Sequence, residues 1–211
     1  MTKRFYPKTL PPKTTLLIKD FKQIKPSFLD NFYLSGGTAL SLQLNHRESI
    51  DLDFFTQKDF DPKLLQSELE KFGRLTSLEL DINTLNTFLK GVQVQFLGYP
   101  YPLLKPVINW GGIKLSSLID IACTKLQAIS QRGSKKDFID FYFILQKYSL
   151  EELFRKVDQK YKYSGFNKVH ILKSLVYFAN AESQPMPKMH QKVNWKKVKK
   201  MIIDRVTSFQ I

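Results

Sequence analysis

The chain has 211 residues with 43% hydrophobic content, enough for one large domain or two small ones, and carries a net charge of +14. No apolar run approaches the roughly 18 residues of a membrane helix. The opening MTKRFYPKTLPPKTT lacks the apolar stretch of a secretory signal, so no membrane association is expected and the cytoplasm is the expected compartment. A single cysteine, Cys123, excludes an internal disulfide framework and reads as a buried thiol.

Along the chain, residues 7–13 hold three prolines and predict an extended lead-in. FKQIKPSFLDN predicts a short helix with a break near Pro26, and FYLSGG a short strand entering a glycine turn. TALSLQLNHR follows as a helix, and SIDLDFFT alternates as a strand. DPKLLQSELEKFG is a helix, with Asp61 as cap, Pro62 in the first turn and Gly73 past the end. LTSLELDI and GVQVQFLGY read as further strands. Two prolines and a Gly-Gly in YPLLKPVINWGG mark a connection, after which only helical patterns are predicted: 116–131, 134–148, near 150–160 and 167–180, and a C-terminal helix. That last helix sets Val198, Met201, Ile202, Val206 and Phe209 on one stripe. The expected architecture is an α/β half over 1–110 followed by an all-α helical bundle over 111–211.

Charge is unevenly divided. Residues 1–110 carry 14 Lys+Arg and 11 Asp+Glu, leaving 19 and 8 for residues 111–211. Such a field attracts polyanions, nucleic acid among them, although a solvated lysine-rich surface has the same composition. Arg132, Lys135 and Lys136 at one turn, and Lys196, Lys197, Lys199 and Lys200 in the last helix, are candidate nucleic-acid contacts.

Within YLSGGTALSLQLNHRESIDLDFFT, strand alternation turns Asp51 and Asp53 to one face and Leu52 and Phe54 to the other. Two like charges so close need a positive partner, either a divalent cation or a basic side chain. Oxygen-only ligands suit Mg²⁺ or Mn²⁺, and a Gly-Gly turn opening a helix offers amides for phosphates. Downstream, Lys125 lies on an apolar helical stripe, where it must snorkel or find an anion. Asp137 stands three residues after Ser134 as in a capping box, and Asp140 shares its face.

The two segments LSGGTALSLQLNHRESIDLDFF and IDIACTKLQAISQRGSKKDFIDFYFIL resemble, in that order, the paired signatures of the AbiEii/AbiGii toxin group within the polymerase-β-like nucleotidyltransferases. The resemblance covers about residues 30–148. It implies a polymerase-β-like nucleotidyltransferase domain and transfer of NMP from an NTP to an acceptor hydroxyl. RNA, tRNA in particular, would be the acceptor, in a toxin–antitoxin or phage-defence setting with a possible cognate antitoxin. It implies that Ser35, Gly36, Gly37 and Thr38 hold the triphosphate and that Asp51 and Asp53 bind Mg²⁺. Lys125 would reach the phosphates, Asp137 would belong to the cleft, and Arg47 and Asp140 would stand at the nucleotide. One departure is visible: the strand expected to carry a third carboxylate offers Gln93 and Gln95, with Glu79 or Asp81 as possible substitutes. A non-catalytic module binding nucleic acid or a partner protein is the alternative reading.

Overall fold

The structure, a computed structural model, describes residues 4–164 and 167–209. After a 3-10 turn at Pro7–Thr9, α1 runs over Pro12–Ile24. The extended lead-in is thus cut short, because Pro12 sits in the first helical turn, where its fixed φ fits and its missing N–H is no loss. A second 3-10 turn, Ser27–Asn31, leads into β1 (Tyr33–Leu34), α2 (Gly36–Leu44) and β2 (Leu52–Thr56). Next come α3 (Pro62–Glu70), β3 (Leu75–Asp81), β4 (Thr84–Leu89), β5 (Val92–Gly98), β6 (Ile108–Trp110) and β7 (Ile113–Leu115). The rest is helical: α4 (Leu118–Gln131), α5 (Lys135–Ile144), α6 (Leu150–Lys160), α7 (Lys168–Leu175), α8 (Ala179–Glu182) and α9 (Trp195–Thr207).

The strands form one seven-stranded mixed sheet in the order β3-β4-β5-β2-β1-β7-β6. β2 pairs parallel with β5 and β1 parallel with β7, and the other neighbours are antiparallel. Two elements escape the sequence reading. β4 does alternate, with Leu85, Thr87 and Leu89 buried, but Asn83 and Asn86 break up its apolar character. The stretch 108–115, read as a connection followed by helix, is a hairpin. Gly111 and Gly112 both have positive φ, as a tight two-residue strand turn requires. The sheet therefore continues past residue 110, and β7 sits beside β1.

β2 shows how the sheet positions the site. Leu52 and Phe54 are buried in the core, where Phe54 stacks on Phe96 of β5 with ring centroids 5.0 Å apart. Asp53 and Phe55 project from the opposite face. The apolar core runs without interruption from Leu17 and Phe21 of α1 through the sheet to Phe138 and Phe141 of α5 and Val198 and Ile202 of α9.

One buried ion pair fastens the helices to the connection between β5 and β6. Asp120, in the first turn of α4, receives Lys160 Nζ of α6 at 2.8 Å, the Ser117 hydroxyl at 2.6 Å and the amides of Leu104 and Lys105. Lys160 also donates to the Pro102 carbonyl. Both side chains are almost inaccessible. Cutting one member of such a pair leaves an uncompensated charge. Asp120→Ala is expected to lower unfolding free energy by about 3–5 kcal/mol, read from urea denaturation; a loss under about 1 kcal/mol would contradict this role.

Candidate active site

The α2 N-terminus, the cleft-facing side of β2 and β5, and one face of α4 enclose a cleft of about 360 Å³. Its walls include Gly36, Gly37, Arg47, Asp51, Asp53, Gln95, Lys125, Arg132 and Lys136, drawn from both halves of the sequence.

Asp51 and Asp53 both reach this cleft, as their alternation predicts. Among the described residues neither carboxylate accepts a hydrogen bond, and the nearest recorded cation is Lys136 Nζ, 3.7 Å from Asp51. Burial pushes the Asp53 carboxyl above its ordinary value, as does the charge on Asp51, while Lys125, Lys136 and Arg132 pull it back. The backbone is tight against this acid. Gly36 has φ +61°, and a Cβ there would lie 2.2 Å from Asp53 Oδ2; a Cβ on Gly37 would lie 2.5 Å from Arg47 Nη2. Glycine at 36 is therefore required both by conformation and by contact. No side chain caps α2, so its first amides stay open toward the cleft.

Asp137 and Asp140 behave oppositely. Both are fully buried behind the cleft wall. Asp137 takes Lys125 Nζ at 2.9 Å, Arg132 Nε at 2.8 Å and Nη2 at 3.0 Å, and the Ser134 hydroxyl at 2.5 Å. Asp140 takes Arg47 Nε at 2.6 Å and Nη2 at 2.8 Å, and lies 2.6 Å from Lys125 Nζ and 2.8 Å from His46 Nε2. Burial opposes both charges, but Lys125 and Arg132 hold Asp137 below the usual carboxylate range, and Arg47 and Lys125 hold Asp140 well below it. Burial likewise opposes the Lys125 ammonium, yet Asp140 and Asp137 raise its pKa. Lys125 thus lines the cleft as a cation clamped from behind. The capping-box expectation for Ser134 changes accordingly: its hydroxyl donates to the Asp137 carboxylate instead of capping a helix amide.

The other expected residues divide. Thr38 and Ser35 are buried and do not line the cleft. Thr38 donates its hydroxyl to the Asp51 carbonyl, and Ser35 accepts from Ser116 at 2.8 Å. Both shape the turn from beneath. Arg47 and Lys136 line the cleft; so does Arg132, whose side chain keeps 60% exposure despite its pairing with Asp137. Lys135 does not fit its expected nucleic-acid role: it is buried, with its ammonium on the Glu182 and Gln184 carbonyls. Lys196, Lys197, Lys199 and Lys200 lie away from the cleft, and Lys199 and Lys200 pair with Glu182 and Asp204. Gln95 lines the cleft directly beside Asp53 in register, whereas Glu79 and Asp81 sit on edge strand β3, outside it. Cys123 is buried, its thiol pushed up to about 12 by desolvation.

The sequence gives no signal for the Arg47–Asp140 contact, which bridges 93 positions. Arg47 is itself steadied by the segment near Met189: the amides of Glu48 and His190 bond to the carbonyls of Lys188 and His46, both at 2.8 Å. The open donors are oxygens only, two carboxylates with an amide alongside, a set that fits Mg²⁺ or Mn²⁺.

Comparison with known proteins bears on this geometry. A family model described as the nucleotidyl transferase AbiEii toxin of a type IV toxin–antitoxin system matches residues 22–102 and 103–210. An uncharacterized protein of Aquifex aeolicus is 41% identical over 169 residues, 77% of this chain and 81% of that one. MenT4, a nucleotidyltransferase toxin from Mycobacterium tuberculosis, shares the fold with a TM-score of 0.57 at 16% identity, over 94% of this chain and 85% of that one. A provisionally assigned nucleotidyltransferase from H. pylori shares it with a TM-score of 0.56 at 15% identity, over 93% and 94%. Among the described residues no helix is long and apolar enough to cross a membrane.

Two outcomes follow from the Asp53 environment. A raised folded-state pKa means the folded protein binds more protons than the unfolded chain between the two values, so this acid costs stability as pH rises. Without divalent metal, Asp53→Asn is expected to raise the urea midpoint at pH 7, with the gain vanishing below about pH 4. Mg²⁺ or Mn²⁺ should stabilise the parent chain and not the variant; a variant less stable at pH 7 would contradict this. Gly36→Ala is expected to cost about 1–3 kcal/mol and to remove that metal stabilisation. Retained metal stabilisation would show that the close approach is incidental.

Proposed function

The chain belongs to the AbiEii nucleotidyltransferase toxin family, and from that premise we propose a Mg²⁺- or Mn²⁺-dependent transfer of NMP from an NTP to an acceptor hydroxyl of RNA, tRNA in particular. The observation that carries this reading is the contrast between two acid pairs in one cleft. Asp137 and Asp140 are saturated by cations, while Asp51 and Asp53 lie open beside uncapped helix amides.

Charge arithmetic supports the metal. Arg47, Lys125, Arg132 and Lys136 match Asp51, Asp53, Asp137 and Asp140 one for one. The cleft alone therefore has no surplus positive charge for a triphosphate. Asp51 and Asp53 would hold a divalent cation, which neutralises phosphate charge and orients the phosphates for displacement. The amides of Gly36 and Gly37 and the ammonium of Lys125 would bind the pyrophosphate portion, favouring its departure. Lys125 does so from a fixed position, because Asp137 and Asp140 have already ordered it. Gln95 can orient the acceptor hydroxyl but cannot take its proton. Asp51 and Asp53 are the acids in the cleft whose carboxylates accept no hydrogen bond among the described residues, with Lys136 Nζ 3.7 Å from Asp51.

The two halves of the chain read as lobes meeting at this cleft, the sheet giving the floor and α4 the opposing wall. The +14 charge favours an anionic acceptor. A toxin role, with an antitoxin as partner, accords with the family description.

Incubation with α-labelled NTPs, Mg²⁺ or Mn²⁺ and total bacterial tRNA is expected to label RNA. Asp51→Asn or Asp53→Asn should reduce that labelling at least about a hundredfold. Labelling unaffected by both substitutions, or NTP binding with no transfer to RNA or protein, would overturn the proposal and favour a non-catalytic binding module.

A further inference from the structure

The cleft extends beyond its charged end. Along β2 the floor runs from Asp51, just before the strand, through Asp53 to Phe55; along β5 it runs from Gln95 through Leu97 to Tyr99, just after the strand. Register sets Asp53 beside Gln95 and Phe55 beside Leu97. Two strand residues span about 7 Å, so the floor changes from carboxylate to apolar within roughly one sugar unit. Phe55 and Tyr99 form a continuous aromatic surface, with centroids 4.9 Å apart and planes 35° from coplanar. Tyr99 continues through Tyr101 to Tyr161.

α4 faces this surface with Thr124, Gln127 and Ala128, which share one side of the helix. Gln127 is held in one orientation. The Tyr99 hydroxyl donates to its Oε1 at 3.2 Å, and the Tyr161 hydroxyl lies 2.5 Å from that of Tyr99. Burial raises the pKa of both phenols, so they keep their protons. With Tyr99's only hydroxyl proton given to Gln127, Tyr161 is the donor to Tyr99. That bond takes one of the two acceptor sites of the Gln127 oxygen, and the amide NH₂ is left to donate into the cleft.

We propose that this apolar end holds the nucleobase of the incoming nucleotide between the Phe55–Tyr99 surface and α4, and that Gln127, oriented by Tyr99, reads it by donating to a base carbonyl. The substrate class is then an NTP whose base bears a carbonyl oxygen, guanine, uracil or cytosine, in preference to ATP. Adenine has no carbonyl and can accept from the Gln127 NH₂ only at a ring nitrogen; where guanine and uracil present O6 or O4 it presents an amino group, which would meet that NH₂ donor to donor. The assignment rests on the nucleotidyltransferase reading, since it takes the charged end to hold the triphosphate. Gln127 would be a specificity residue touching the base, and Tyr99 both a stacking surface and a positioning residue.

Calorimetric titration of the full chain with the four NTPs and with inorganic tripolyphosphate, in Mg²⁺ and without acceptor, tests this. Phe55→Ala should weaken the preferred NTP about tenfold and leave tripolyphosphate unchanged. Gln127→Leu, and the mild Tyr99→Phe that keeps the ring, should leave tripolyphosphate unchanged and cut the preference over ATP about tenfold. Equal weakening of NTP and tripolyphosphate by Phe55→Ala, a selectivity untouched by Gln127→Leu, or a defect confined to acceptor RNA would overturn the assignment, the last by giving the pocket to the acceptor's base. A parent chain that binds tripolyphosphate but gains nothing from any base refutes the pocket alone. A parent chain that binds neither ligand refutes the nucleotidyltransferase reading as well.

Discussion

The cleft depends on a buried cluster of charges in which Lys125 is gripped by Asp137 and Asp140 while Arg47 and Arg132 close the cluster on either side. Its members come from the segment between α2 and β2, from α4 and the turn after it, and from α5. The cluster thereby fixes the sheet side of the cleft against the helical side. Desolvating so many charges is costly, and the ion pairs offset that cost only when the set is complete. Such a cluster contributes little net stability compared with an apolar equivalent, yet it holds one geometry: a cation at a defined height above the cleft floor. Preorganisation of this kind lets a lysine act on a phosphate without being ordered at the moment of reaction.

Four aspartates within one region are thus divided by their partners. Asp137 and Asp140 are saturated by cationic donors and kept ionised. Asp51 and Asp53 face open space, and Asp53 is pushed toward protonation by burial and by its neighbour. In the proposed reaction a divalent cation would relieve the repulsion between these two adjacent acids, which would tie the fold's least comfortable feature to its chemistry. The backbone repeats the arrangement: Thr38 holds the carbonyl of Asp51 from below, and Gly36 leaves Asp53 the space a methyl group would take.

Much of this was legible in the sequence. Asp51 and Asp53 share a face because strand periodicity is two, and that inference needs only local sequence. The helix after the glycine turn, which in the structure already begins at Gly36, the Asp61 cap and the apolar stripe of α9 follow from the same kind of pattern. What could not be read is non-local. Nothing near Asp137 says whether it points at the cleft or away from it; that is decided by Lys125, twelve positions back, and by the Arg132 side chain. Arg47 finds Asp140 only through the tertiary fold. Lys135, charged in a basic run, is buried by carbonyls near 182–184 that no local pattern ties to it. The hairpin at 108–115 is hidden by its short strands, and Gly111-Gly112 has the composition of a linker although it forms a turn.

The most direct examination of the central claim is a crystal structure of the chain with Mn²⁺ and a non-hydrolysable NTP, using anomalous scattering to locate the metal. The account expects the ion bound jointly by Asp51 and Asp53, the phosphates against the Gly36–Gly37 amides and Lys125, and Asp137 and Asp140 still paired behind the wall. Manganese bound elsewhere, or Lys125 released from both acids with Asp51 and Asp53 left without a metal, would contradict it.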